Sequence, residues 1–265
     1  MNTEYHWWGL EDSIFKGALY DSMGMYFLGH YGYESYDDFV KNDPHMAYAL
    51  LINGRFEALE QQFVDLRVIP QMLGVEQLPL PSSVQAINRY DWLKSITDLA
   101  LLRFASIRDI AFHFVIETLE KDMPDHKLNL KSLKRELKVE HPKIVELLKA
   151  IDKSGESFRV DRNTRAHKGH IHLFTEDDGM FKDMAWYEVH GKINDYDLDL
   201  EYEKARDKLY SKFVDEVECL LPLVTELVDE FYSVYCDKFW EKSQNSRNGL
   251  EWSQHFSLHG NNAIQ

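Results

Sequence analysis

The run that decides the fold is Asn88 to Lys121, NRYDWLKSITDLALLRFASIRDIAFHFVIETLEK. Leu93, Ile96, Ala100, Phe104, Ile107, Ala111 and Phe114 recur every three or four residues, the spacing that lines side chains along one face of an α-helix. Leu99, Leu102 and Ile110 form a second stripe, which predicts a wide buried arc and a central place in a helical bundle. Working outward, Ala205, Leu209, Phe213, Val217, Leu220, Val224, Leu227, Phe231 and Val234 keep the same spacing between Glu201 and Lys242. Pro222 lies within that pattern and predicts a kink or break, because it donates no N–H and crowds the preceding turn. Two shorter helices are expected at Leu130 to Leu137 and Pro142 to Asp152, the second opening on a proline where the first turn tolerates one.

Towards the N-terminus, Met46 to Leu66 reads as helix, with Asn53-Gly54 as a turn signal able to divide it. Pro70 to Ser83 has the composition of a linker between an aromatic-rich N-terminal piece and the long-helix region. Ile171 to Phe174 and Trp186 to Val189 are the candidates for a short β-ribbon, with a loop or a helical turn fitting nearly as well. The expectation is therefore an all-α helical bundle over residues 81–243, an N-terminal helical extension over 1–80, and a polar tail at 244–265 that frays.

The 265 residues carry 45 acidic and 30 basic side chains, a formal charge of −15, and 44% are apolar. That much apolar material builds a core, so a disordered chain is excluded. So large an acidic surplus also excludes a protein that coats nucleic acid over its whole surface. Cys219 and Cys236 form no CxxC pair, and both fall in the apolar-periodic C-terminal region, where buried structural thiols are expected. So few thiols point to a reducing, cytoplasmic setting. The start, Met1 to His6, lacks the basic and apolar pattern of a signal peptide. The most apolar window, Leu99 to Ile116, contains Arg103, Arg108, Asp109 and His113, so no membrane span is expected.

The run with chemical content is Arg162-Asn163-Thr164-Arg165-Ala166-His167, followed by Lys168, Gly169 and His170. On a helix, Asn163 and His167 stand four apart on one face, His170 follows three further on, and the long Arg162 side chain reaches the edge of that face. A guanidinium, an amide and an imidazole can hold a phosphate, orient a ribose hydroxyl and move a proton near neutral pH, which is what RNA cleavage without a metal requires. On residues alone, the run also reads as a solvated helix face, with Arg162, Arg165 and Lys168 paired to Asp161 and Glu156 and His167 a cation at the helix end.

Arg162, Asn163 and His167, in a mainly helical chain, resemble the signature of the HEPN domain (higher eukaryotes and prokaryotes nucleotide-binding), an Arg and a His with four to six residues between them, often with Asn directly after the Arg. The resemblance implies a bundle of four or five core helices that forms a homodimer with two motifs facing across a cleft. It implies a metal-independent endoribonuclease of toxin or defence type, with an antitoxin protein as a possible partner. Arg162 would neutralise the scissile phosphate, Asn163 position it, and His167 act as general base or acid while the 2′-hydroxyl attacks and leaves a cyclic phosphate. Arg165, Lys168 and His170 are the accompanying candidates for RNA or nucleotide contact. No metal and no cofactor enter this reading. The alternative it leaves is an inactive module that binds a nucleotide or a protein partner.

Between Lys127 and Lys168, twelve basic residues face six acidic ones, an island of +6 in a remainder of −21, which suits a basic cleft for RNA. A zinc site from His167, His170 and His172 matches no standard spacing, and the phosphate-binding glycine motifs are missing.

Overall fold

The computed structural model describes residues 8–28, 32–75, 87–168, 178–191 and 197–246, with the backbone alone at 25–28, 165, 166 and 168. The described residues contain helices and no strand, so the protein is an all-α bundle. In chain order the helices are α1 (Ile14–Leu28), α2 (Tyr36–Asn42), α3 (Pro44–Leu66), α4 (Val68–Leu73), α5 (Arg89–Thr118), α6 (Leu130–Leu137), α7 (Pro142–Ser154), α8 (Glu156–Lys168), α9 (Asp178–Val189), α10 (Leu198–Asp229) and α11 (Tyr232–Gln244).

Two compact units share the chain. The motif unit takes Glu60–Asp109 and Ala150–Pro222, with Trp8 and Gly9; the second unit takes Leu10–Leu59, Ile110–Lys149 and the residues from Leu223 onward. Each therefore draws on several separate stretches of sequence. The boundary expected near residue 80 falls at 76–86, outside the described residues, as do the tail beyond 246 and the strand candidate Ile171 to Phe174.

In the motif unit the α5 stripe Leu93, Ile96, Ala100, Phe104 and Ile107 is fully buried together with Phe63, Leu66, Ile69, Phe158, Phe181, Phe213 and Val217. The second stripe falls elsewhere: Leu102 is 52% exposed, and the arc widens on the other flank through Thr97, Leu101 and Ala105. Pro70 and Ile69 are buried in α4, so the first part of the expected linker is helix packed into the core. At the N-terminal end of α5, Arg89 pairs with Glu188 at 3.2 Å and Asp199 at 2.6 Å, and its guanidinium lies over the Tyr202 ring.

The second unit is centred on Phe15, whose ring stands 5.8 Å from Phe56 and 5.3 Å from both Phe114 and Tyr235. Ser13 donates its hydroxyl to Asp229 Oδ1 at 2.5 Å and accepts from the Lys16 amide, which satisfies a free donor at the start of α1. α3 is continuous through Asn53-Gly54, where the Asn53 amide turns outward to Glu57 and no turn forms. α5 closes with the Lys121 amide donating to Ile116 O at 2.9 Å and with Glu120 in the left-handed region at φ 53°, a place usually filled by glycine. Glu120 is held there by Lys238 at 3.0 Å and Lys242 at 2.8 Å. Burial disfavours its ionised form, and hydrogen bonds from Lys242 and Lys238 outweigh that, so the carboxyl titrates below its ordinary range.

Three expectations are corrected. α10 continues through the exposed Pro222, so no break falls there, and the helix is interrupted after Asp229 instead. Beyond it the buried register passes from Val234 to Tyr235 and Phe239. Trp186 to Val189 forms the last turn of α9 and not a strand, with Phe181 and Ala185 as its buried face. Cys219 is exposed and Cys236 half-buried, so neither is the fully buried thiol expected; burial pushes the Cys236 thiol up to about 11, with Asp237 adding to the effect.

The second unit also holds a polar cluster at the junction of α2 and α3. Asp43 accepts from Tyr33 Oη at 2.5 Å, and His45, fully buried, has Nδ1 2.6 Å from Ser246 Oγ and 4.0 Å from Asp43 Oδ1. Ser246 Oγ also lies 3.0 Å from Lys242 O, one turn before it, so the hydroxyl links the imidazole to the end of α11. The His45 ring meets Phe239 edge-on, with centroids 5.3 Å apart.

Candidate functional site

α8 is a polar helix held to the motif unit along one side. Phe158 is its buried apolar anchor, stacked on Phe104 with centroids 4.3 Å apart and an interplanar angle of 18°, and in contact with Phe213 at 5.8 Å. Lys212 of α10 sits 4.8 Å above the Phe158 ring and pairs with Asp161 at 2.9 Å. Asp161 is thereby committed to α10 and not to Arg162, unlike the solvated-face pairing weighed from sequence. Arg159 pairs with Asp152 at 3.1 Å and also donates to the Asp152 carbonyl. The same carboxylate accepts from Arg108 of α5 at 3.3 Å.

Burial pulls the Arg159 guanidinium below its ordinary range, with the Asp152 carboxylate opposing and Arg108 adding to the pull. Beside it, Ser154 donates to Glu216 at 2.6 Å; burial holds that carboxyl above its ordinary range against the hydrogen bond and the charges of Lys212 and Arg159. Gly155 joins α7 to α8 where a Cβ would stand 3.1 Å from Arg159 Nη1, a tight approach to the end of that side chain.

The opposite face of α8 carries two of the three motif residues. Asn163 and His167 are both exposed and, four residues apart, lie on the same side as Val160. Arg162, one turn after Phe158, is half-buried on the anchored side, and its Nε and Nη2 donate to Asn163 Oδ1 at 3.3 and 3.1 Å. The guanidinium is thus folded across the amide towards the exposed face, with an edge left to meet an anion. Five residues on an α-helix turn through about 140°, so the backbone alone does not align Arg162 with His167.

The structure therefore joins Arg162 to Asn163 and puts Asn163 beside His167. Arg165 and Lys168 belong to α8, but their side chains, and the whole of His170 and His172, lie outside the described residues. Among the described residues no group of three His, Cys, Asp or Glu side chains is placed to hold a metal ion, and no helix is long and apolar enough to cross a membrane. Sequence reading missed Arg159, Asp161 and Lys212 as the supports of the motif helix. Arg159 carried a signal, lying one turn before Arg162, whereas Lys212 is 51 residues from its partner Asp161 and carried none. No family model matches the chain, and neither a curated protein nor a solved structure is significantly similar to it.

Proposed function

We propose that the chain is a metal-independent endoribonuclease whose chemistry is carried by Arg162, Asn163 and His167 on α8. The observation that supports this most is the Arg162 guanidinium hydrogen-bonded to Asn163 Oδ1, with Asn163 on the exposed side of α8 that bears His167. Arg162 binds a nonbridging oxygen of the scissile phosphate and offsets charge gained in the transition state. The Asn163 amide nitrogen donates to the same phosphate, and His167 accepts the proton of the ribose 2′-hydroxyl. The 2′-oxygen then bonds to phosphorus, the bond to the 5′-oxygen breaks, and that oxygen leaves with a proton from a second imidazole or from water. The products are a cyclic phosphate and a 5′-hydroxyl.

Because Arg162 and His167 diverge around their helix by about 140°, the reading pairs the motif with a second copy of the chain, so that an Arg162 and a His167 from different copies flank one phosphate. The same divergence supports a second reading, a binding module that holds a nucleotide through Arg162 and Asn163 without cutting.

RNA cleavage in the presence of a chelator tests the proposal. Wild type is expected to cut, with His167→Ala and Arg162→Ala each losing at least about 100-fold in rate, as for removal of a general base or a charge-stabilising donor. Mixing the two inactive variants should restore part of the activity through mixed dimers. Undiminished cutting by His167→Ala removes it as the base, and tight nucleotide binding without any cutting selects the module. Because Asn163 and His167 are exposed, their alanine variants should melt within about 0.5 kcal/mol of wild type, so lost activity is not lost fold.

A further inference from the structure

We infer that α6, in the second unit, is a docking stripe for the phosphate backbone of a single-stranded nucleic acid, separate from the chemistry on α8. Lys131, Lys134, Arg135 and Lys138 recur at one-turn intervals, within an arc of about 100° around the helix, and all four are exposed. Leu133 and Leu137 are fully buried on the other side, and the one acidic residue of the helix, Glu136, lies well off the arc. Asn129 caps the helix by accepting from the Ser132 amide at 3.0 Å, so the stripe stands on a fixed scaffold.

Its cations contrast with their surroundings. In this acidic chain carboxylates are abundant, and neighbouring lysines are engaged: Lys121 with Glu140 at 3.3 Å, Lys149 with Glu146 at 2.5 Å, and Lys143 with Glu226 at 3.0 Å and with Glu230. Lys131, Arg135 and Lys138 form no ion pair among the described residues, and Lys134 acts only as a weaker neighbour of Glu146, whose hydrogen bond comes from Lys149. A row of unneutralised cations one turn apart matches a ligand that presents negative charge at regular intervals along a line, and its binding releases the counterions condensed there. A membrane fits less well, because an interfacial helix needs a free apolar face and that of α6 is spent on the core. The basic island seen in the sequence therefore divides: Lys131 to Lys138 lie in the second unit, and the motif lies in the other.

The inference shares its partner class with the proposed ribonuclease but is tested apart from cleavage. The probe is a fluorescent oligodeoxythymidylate, which lacks the 2′-hydroxyl and is not cut, titrated with the full chain over a series of NaCl concentrations. For four phosphate contacts, replacing the stripe as Lys131→Gln, Lys134→Gln, Arg135→Gln and Lys138→Gln should flatten the slope of log affinity against log salt by about 3. Glutamine is a good helix former, and an unchanged circular-dichroism melt will show the variant folded. A second variant with the stripe all arginine should bind as wild type. The inference is overturned if the glutamine variant keeps the wild-type slope, if the wild type ignores the oligonucleotide, or if it prefers phosphatidylserine vesicles. Loss of oligonucleotide binding in Arg162→Ala alone, with the glutamine variant unaffected, would move the contact to α8 and leave the ribonuclease reading intact.

Discussion

His45 shows what one buried imidazole does to a fold. Burial drives it down to about 4 from the ordinary histidine value, and Asp43 recovers only part of that fall. Because the folded value lies below the unfolded one, the unfolded chain binds the extra proton as pH drops. The stability tied to the neutral ring is complete above about pH 6.5 and is lost on acidification towards about pH 4. At about pH 5 the loss should be roughly 2 kcal/mol. Urea unfolding of wild type and His45→Phe at neutral pH and at about pH 5 checks this, and a variant as acid-sensitive as wild type would refute it. The neighbouring sequence, Asp43-Pro44-His45, displays a helix start but nothing of the ring's role, because Ser246 lies 201 positions away. Asn163 and His167 are the opposite case: four residues apart on one helix, they share a side by local geometry alone, whereas Arg162 stands about 140° round from His167.

At the scale of elements, the long helices could be read directly because a regular stripe can be buried in few other ways. Every stripe residue of α5 from Leu93 to Phe114 is buried. Reading failed where one side chain's exposure decides. Leu102 is as apolar as Leu101, and only the packing of neighbours selects Leu101 for the core. Trp186 to Val189 has strand-forming composition, yet Phe181 and Ala185, one turn apart, commit it to helix. For α8 the decisive attachment is Phe158. Phe158→Ala removes a buried ring stacked on Phe104 and tilted against Phe213 and should cost about 3–5 kcal/mol, with Phe158→Leu milder. Chemical denaturation measures the cost, and amide exchange should rise along α8 before it rises in α5. Equal protection of α8 in variant and wild type would mean that the helix is held by its ion pairs.

At the scale of the whole molecule, the charge of −15 repels itself. Screening should therefore raise Tm when NaCl is increased from low ionic strength to about 150 mM, where the Debye length is about 8 Å. A fall in Tm would show that pairs such as Arg89 with Asp199 and Lys242 with Glu120 outweigh the repulsion. Composition disclosed this overall repulsion but not which cations escape neutralisation, since that depends on partners as remote in sequence as Lys143 and Glu230.

The one-sided grip of α8 also bears on how such a protein changes over generations. Phe158, Arg159 and Asp161 maintain the helix, and Asn163 and His167 share none of that work. Selection for folding therefore does not guard the residues proposed for chemistry. A substitution at Asn163 or His167 can remove the proposed chemistry and leave the scaffold intact, so stability and the proposed activity can change independently.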